Sequence, residues 1–122
     1  MKIVITAKDE GLDSQLDPRF GRAQCFIVMD TETGEHQSVS NDQNVQAAQG
    51  AGIQAGRNVV DTGAEAVITG NVGPKAFQTL QAAGIKIYLC SDGSLTVQEA
   101  LDRYNKGELA EVSDANVSGH WM

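Results

Sequence analysis

The sequence has little of what covalent and metal chemistry usually requires. Its 122 residues include two cysteines, Cys25 and Cys90, and two histidines, His36 and His120. There is no CxxC, and two thiols in one chain cannot hold an iron–sulfur centre on four thiolates. A hydrolytic zinc site takes about three protein ligands, usually rich in histidine, and none is spaced for it. Thiols this far apart, in a reducing compartment, are expected to be buried and free rather than bridged. Basic residues are also scarce. Nine Lys and Arg against 16 Asp and Glu leave a net charge of −7, a field that repels nucleic acid and anionic lipid. A small anion held in a local basic pocket is still compatible with it. No apolar run approaches the roughly 20 residues of a membrane helix. Met1-Lys2 opens directly into Ile3-Val4-Ile5, too short for the core of a signal peptide, so a cytoplasmic protein is expected.

Enzyme signatures are missing as well. Neither a P-loop nor a nucleophile elbow is present, so ATP hydrolysis and serine hydrolysis have no support. The glycines of Gly50-Ala51-Gly52-Ile53-Gln54-Ala55-Gly56 have the wrong spacing for a dinucleotide fingerprint and do not follow the first strand. A metal-dependent nuclease on a mixed sheet would want a carboxylate on that strand, and Ile3-Val4-Ile5-Thr6 offers none. These absences point to binding rather than catalysis.

What is present suits one soluble globular domain: 41% hydrophobic and 20% charged residues. Lys2 to Ala7 is β-branched and reads as a strand. A long polar stretch, Lys8 to Gln24, follows, and loops of that length are usually functional or mobile. Cys25 to Met29 is a second strand and Glu35 to Ser40 a third, joined by a hairpin over Asp30–Gly34. A helix is expected from about Gln46 to Thr62, its glycines serving close packing onto a sheet or, in the alternative, a helix start close to a ligand. Ala66 to Thr69 is a fourth strand. Gly73-Pro74 starts a helix that Gly84 stops, and Ile85 to Leu89 is the fifth strand. Thr96 with Glu99 forms a capping box and opens the last helix, which ends near Gly107. The order βββαβαβα predicts a five-stranded mixed α/β sheet with helices on both faces, its first, fourth and fifth strands parallel. The domain is expected over 1–109, with a loose tail over 110–122.

In open α/β sheets ligands bind beyond the carboxyl ends of parallel strands. Three connections reach that edge: Lys8–Gln24, Gly70–Pro74 and Ser91–Leu95. The first carries Lys8, Arg19 and Arg22, and Lys75 follows the second, which is four of the nine basic residues in the chain. Asp9, Glu10, Asp13 and Asp17 share the first loop, so an anion site there requires the guanidinium groups to point inward and the carboxylates to face water. The turn Gly70-Asn71-Val72-Gly73-Pro74-Lys75 allows close backbone approach and feeds a helix N-terminus, whose free N–H groups favour an anion. A plain strand-to-helix turn would read the same way.

Asp17-Pro18-Arg19-Phe20-Gly21-Arg22-Ala23 after a first strand, then Ile68 to Phe77 through Gly70-Asn71-Val72-Gly73, then Gly84-Ile85-Lys86-Ile87-Tyr88, resembles the dinitrogenase iron–molybdenum cofactor biosynthesis family, which includes NifX and the carboxyl-terminal domain of NifB. The resemblance runs from Met1 to about Leu109. It implies a ribonuclease H-like fold and a protein that binds or carries a metal–sulfur cluster. Gln43–Gln54 and the ending Gly119-His120-Trp121 resemble a branch of the family that holds a non-covalent molybdenum–copper sulfide cluster. Such a polyanion brings its own sulfide ligands, so the protein need supply only hydrogen-bond donors, positive charge and apolar walls. The implied cofactor-binding set is Arg19, Phe20, Gly21, Arg22, Gly70, Asn71, Val72, Gly73 and Lys75. Phe20 and Val72 are the expected walls, and no residue is expected to bond a metal directly. Arginine suits a weakly hydrated, diffuse anion better than lysine does. The chain is expected to be a monomer or weak dimer. The alternative is a protein-interaction or regulatory module that works with MinD/Mrp-type ATPases, with any metal incidental.

Overall fold

The computed structural model describes residues 1–41, 51–90 and 94–112. In chain order the elements are β1 (Lys2–Ala7), β2 (Cys25–Asp30), β3 (His36–Ser40), α1 (Ala51–Asp61), β4 (Ala66–Thr69), α2 (Pro74–Ala82), β5 (Lys86–Leu89), α3 (Val97–Asn105) and β6 (Ala110–Glu111). The strands form one sheet in the order β3-β2-β1-β4-β5-β6. β1, β4 and β5 run parallel, with Ile5 beside Ile68 and Ile68 beside Tyr88. β2 and β3 form an antiparallel hairpin on one side. The expected start of α1 at Gln46 lies outside the described residues.

Among the described residues the sheet has six strands, not the expected five. β6 falls where a loose tail was expected, and it pairs antiparallel with β5 through Tyr88–Glu111 and Leu89–Ala110. Val112 N–H extends the pairing by donating to the Ile87 carbonyl at 2.9 Å. Two exposed residues are too few to show a period of two, which is why the pattern along the chain does not reveal this strand.

Alternation along the strands divides the core into two layers. Val4, Phe26, Val28, Val67 and Ile87 point to one face, where α1 (Ala55, Val59) and α2 (Ala76, Phe77, Leu80) cover them. Ile3, Ile5, Ile27, Met29 and Ile68 point to the other, under Val97, Ala100 and Leu101 of α3. Each large side chain buried this way contributes about 1.5–3 kcal/mol, so the two layers supply most of the driving force. Both cysteines are buried, and no disulfide joins them. Among the described residues no helix is long and apolar enough to cross a membrane.

The helix signals act locally as their chemistry requires. α2 begins with Pro74 after an extended Gly73. It ends in a Schellman turn: Gly84 takes φ +76°, its N–H reaches the Gln81 carbonyl at 2.9 Å, and Ile85 N–H reaches Leu80 at 3.0 Å. Gly56 in α1 serves close packing, but against a helix rather than the sheet. A Cβ there would stand 2.9 Å from Thr79 Cγ2 of α2. At the β2–β3 hairpin, Asp30 accepts from Glu32 N–H at 2.9 Å and Thr33 N–H at 3.4 Å, and the Glu32 bond above all holds its carboxyl below the ordinary range.

At the start of α3, Glu99 N–H donates to Thr96 Oγ1 at 3.1 Å, and Thr96 N–H donates to Glu99 Oε1 at 3.0 Å. Thr96→Ala removes one acceptor from this box and lowers stability by about 1 kcal/mol. Equilibrium urea unfolding reads the change, and an unaltered midpoint would contradict the capping role.

Candidate functional site

β1 and β4 lie side by side and end at the same edge, and the residues that follow them are joined there. Thr6 Oγ1 of β1 is 2.6 Å from the Asp17 carbonyl oxygen and 2.9 Å from Thr69 Oγ1 of β4. A hydroxyl has one hydrogen, so Thr6 donates to the carbonyl and receives the Thr69 hydrogen. Asp17 N–H returns a bond to the Thr6 carbonyl at 2.9 Å. The loop then runs parallel to the turn after β4. Asn71 N–H donates to the Pro18 carbonyl at 2.7 Å, and Phe20 N–H donates to the Asn71 carbonyl at 3.2 Å. This forms a short bridge between Arg19 and Asn71.

The bridge exists because Gly70 has no side chain. A Cβ at Gly70 would stand 2.7 Å from both Cα and Cβ of Pro18 and 3.0 Å from its carbonyl oxygen. The rest of the long loop is also pinned. Lys8 N–H reaches the Gln15 carbonyl at 3.0 Å, and Leu16 N–H reaches the Leu95 carbonyl at 2.9 Å. Val97 and Gln98 N–H groups at the start of α3 donate to the Ser14 and Leu12 carbonyls, both at 2.8 Å. That helix start is thus taken up by the loop and is closed to a ligand.

The start of α2 is different. Gly73 provides no side-chain cap, Pro74 has no N–H, and Phe77 N–H already bonds the Gly73 carbonyl. Among the described residues the Lys75 and Ala76 N–H groups have no acceptor, and the Lys75 side chain is exposed. Free N–H groups at a helix start, with a lysine beside them, make a local anion-attracting point on a chain of net charge −7.

On the loop Asp9, Glu10 and Asp13 face solvent as expected, and Asp17 and Arg19 depart from the expectation. Asp17 is the inward residue, its side chain fully buried, and Arg19 is half exposed. Asp17 Oδ1 accepts from Arg19 N–H at 3.0 Å and from Nε at 3.3 Å, and Oδ2 accepts from Nη2 at 3.4 Å. The carboxylate turns inward because it has backbone and guanidinium donors to satisfy it there. Arg19 therefore keeps its outer edge for solvent or a ligand. Arg22 is half-buried two residues beyond Phe20.

Phe20 and Val72 do not line an open wall. Each is 1% exposed and belongs to the core layer under α1 and α2, with Phe20 stacked on Phe26 at 5.8 Å between centroids. They anchor the two segments from beneath. Gly21, Gly70 and Gly73 are buried and Asn71 is half-buried. Residues 91–93 of the third connection, and His120, lie outside the described residues. Among the described residues no group of three or more His, Cys, Asp or Glu is placed to hold a metal ion. The Cys25 thiol lies under the loop and donates to the Asp9 carbonyl at 3.2 Å.

Two residues at this edge are absent from the set read out of the sequence. Asp17 was legible in principle, since Asp-Pro favours a turn and an Asx side chain bonds the backbone two residues on. Asn41 had no local signal. Its fully buried amide donates to the Gly21 carbonyl at 3.3 Å and the Ala23 carbonyl at 2.8 Å.

Fold and edge together define an α/β protein built on one mixed sheet, with the loop after β1 bridged to the turn after β4. The chain belongs to the dinitrogenase iron-molybdenum cofactor family, whose model matches residues 1–107. The resemblance read from the motifs is borne out. The chain is similar to the apo form of the orange protein from Desulfovibrio gigas, with 42% identity, TM-score 0.91, and 95% of this chain and 96% of that one covered. It is similar to a putative NifB protein from Thermotoga, with 38% identity, TM-score 0.82, and 95% and 97% covered. An uncharacterised protein of Methanocaldococcus jannaschii is 27% identical over 99 residues, 80% of this chain and 82% of that protein.

Gly70→Ala tests the junction. The added methyl meets Pro18 backbone rather than a side chain that could turn away, so the variant loses about 1–3 kcal/mol. Thermal unfolding measures the loss, and a wild-type melting temperature would contradict the close approach.

Proposed function

We propose that this chain binds an anionic metal–sulfur cluster without covalent attachment, and carries or scaffolds it without turnover of its own. The observation that carries the reading is the Arg19–Asn71 bridge. It sets the arginine loop beside the uncapped start of α2, so guanidinium, ammonium and free N–H donors belong to one edge. The donor set decides the kind of ligand. A bare cation needs lone pairs, and this edge offers hydrogen-bond donors and positive charge. A cluster whose metals are already surrounded by sulfide needs only what is here. Arg19 and Arg22 suit its diffuse charge, and Lys75 with the α2 N–H groups supplies the second contact.

The cluster implied by the family resemblance is molybdenum–copper sulfide, and the 42% identity to the orange protein supports testing that composition first. The visible spectrum and the Mo, Cu, Fe and S content of anaerobically purified protein decide it. We expect intense visible bands, molybdenum in excess over copper, and loss of the colour as salt screens the exposed charges. Protein that stays colourless after incubation with thiomolybdate and copper would contradict the reading. In the same assay Arg19→Ala combined with Arg22→Ala weakens retention at least about tenfold, the effect of losing charge-assisted hydrogen bonds from partly exposed groups. Unchanged loading of that double variant would show that the cluster sits elsewhere.

A further inference from the structure

Burying a polar side chain is costly unless it is fully bonded, so where a small protein does so is informative. The polar or charged side chains buried among the described residues are Thr6, Asp17, Asn41 and Thr69. All of them lie at the arginine edge. Thr6, Thr69 and Asp17 form the junction already described, and Asp17 also grips Arg19 directly. Asn41 stands apart in sequence, one residue past the end of β3, and bonds nothing on β1 or β4 among the described contacts.

We propose that Asn41 is a positioning residue of the binding edge, and that its amide fixes the backbone on both sides of Arg22 and so sets where that guanidinium stands. The inference rests on the cluster-binding reading above. The amide nitrogen donates to the Gly21 carbonyl at 3.3 Å and to the Ala23 carbonyl at 2.8 Å, the residues immediately before and after Arg22. An amide NH2 has two hydrogens, and both are used. Asn41 N–H adds a third tie, to the Gln24 carbonyl at 3.1 Å.

The segment needs such a tie. Phe20 and Ala23 are anchored in the core, but Gly21 between them is the residue with the most backbone freedom to lose. A hinge beside a ligand-binding arginine would spread its position, and ordering it on binding would weaken affinity. Asn41 removes that freedom in advance. Supporting groups of this kind act on affinity without touching the ligand.

The test separates positioning from mere stability. Tetrathiomolybdate with copper is titrated into wild-type protein, Asn41→Asp, Asn41→Ser, Arg22→Ala and the double variants. Asn41→Asp keeps the shape but turns two donors into acceptors that face carbonyl oxygens, and it weakens binding about tenfold, as loss of a supporting group does. Asn41→Ser retains one donor and falls between. If Asn41 acts through Arg22, Asn41→Asp adds less than about twofold once Arg22 is already Ala. Leu101→Ala, a core truncation on the buried face of α3, lowers the melting temperature and leaves affinity unchanged. Wild-type affinity in Asn41→Asp, or an equal loss with and without Arg22, overturns the proposal. If Asn41→Asp does not fold, Asn41→Ser carries the same cycle. Failure of the wild type to take up the probe overturns the cluster reading itself, and so the two failures are distinct.

Discussion

The edge depends on one steric constraint. The backbone of Pro18 occupies the space where a side chain on Gly70 would be, with Cα 2.7 Å from that Cβ position. This contact lets the loop after β1 lie against the turn after β4, close enough for two backbone hydrogen bonds across Asn71. Without it the loop would be a separate flap, and Arg19 would have no fixed relation to the start of α2. A buried hydroxyl pair, Thr6 and Thr69, holds the same junction from below by tying the ends of the two parallel strands to each other and to Asp17.

The rest of the molecule serves to present that edge rigidly. Two core layers, one on each face of the sheet, fix β1 and β4 from both sides. Phe20 and Val72 are part of this support. They sink into the layer under α1 and α2 and so anchor the loop and the turn from within. Among the described residues the buried polar side chains are gathered where β1, β3 and β4 end, and each is satisfied there by hydrogen bonds. On this acidic chain Arg19 is thereby set beside the turn that leads into α2.

Much of this was legible along the chain. The strands β1 and β4, the Schellman stop at Gly84 and the Thr96–Glu99 box follow from local chemistry, and the structure keeps them where the pattern puts them. The parallel placement of β1, β4 and β5 follows from handed βα crossovers. What was not legible depends on contacts between distant residues. β6 is two residues long and gains its identity from β5 alone. The inward carboxylate of Asp17 depends on donors that only the folded loop supplies. Phe20 looks like a wall in sequence because it sits between arginines. It becomes core because Phe26 lies beneath it. Asn41 is an ordinary residue after a strand until Gly21 and Ala23 come to face it.

The most direct test of a single anion edge is residue-resolved. Backbone amide resonances of isotopically labelled protein are followed as tetrathiomolybdate and copper are added. The account predicts that the perturbed amides cluster over residues 19–22 and 71–76, on both sides of the Arg19–Asn71 bridge and in the first turn of α2. Perturbation confined to one of those segments, or centred instead on the far end of the sheet around Lys2, Asp30 and His36, would contradict it.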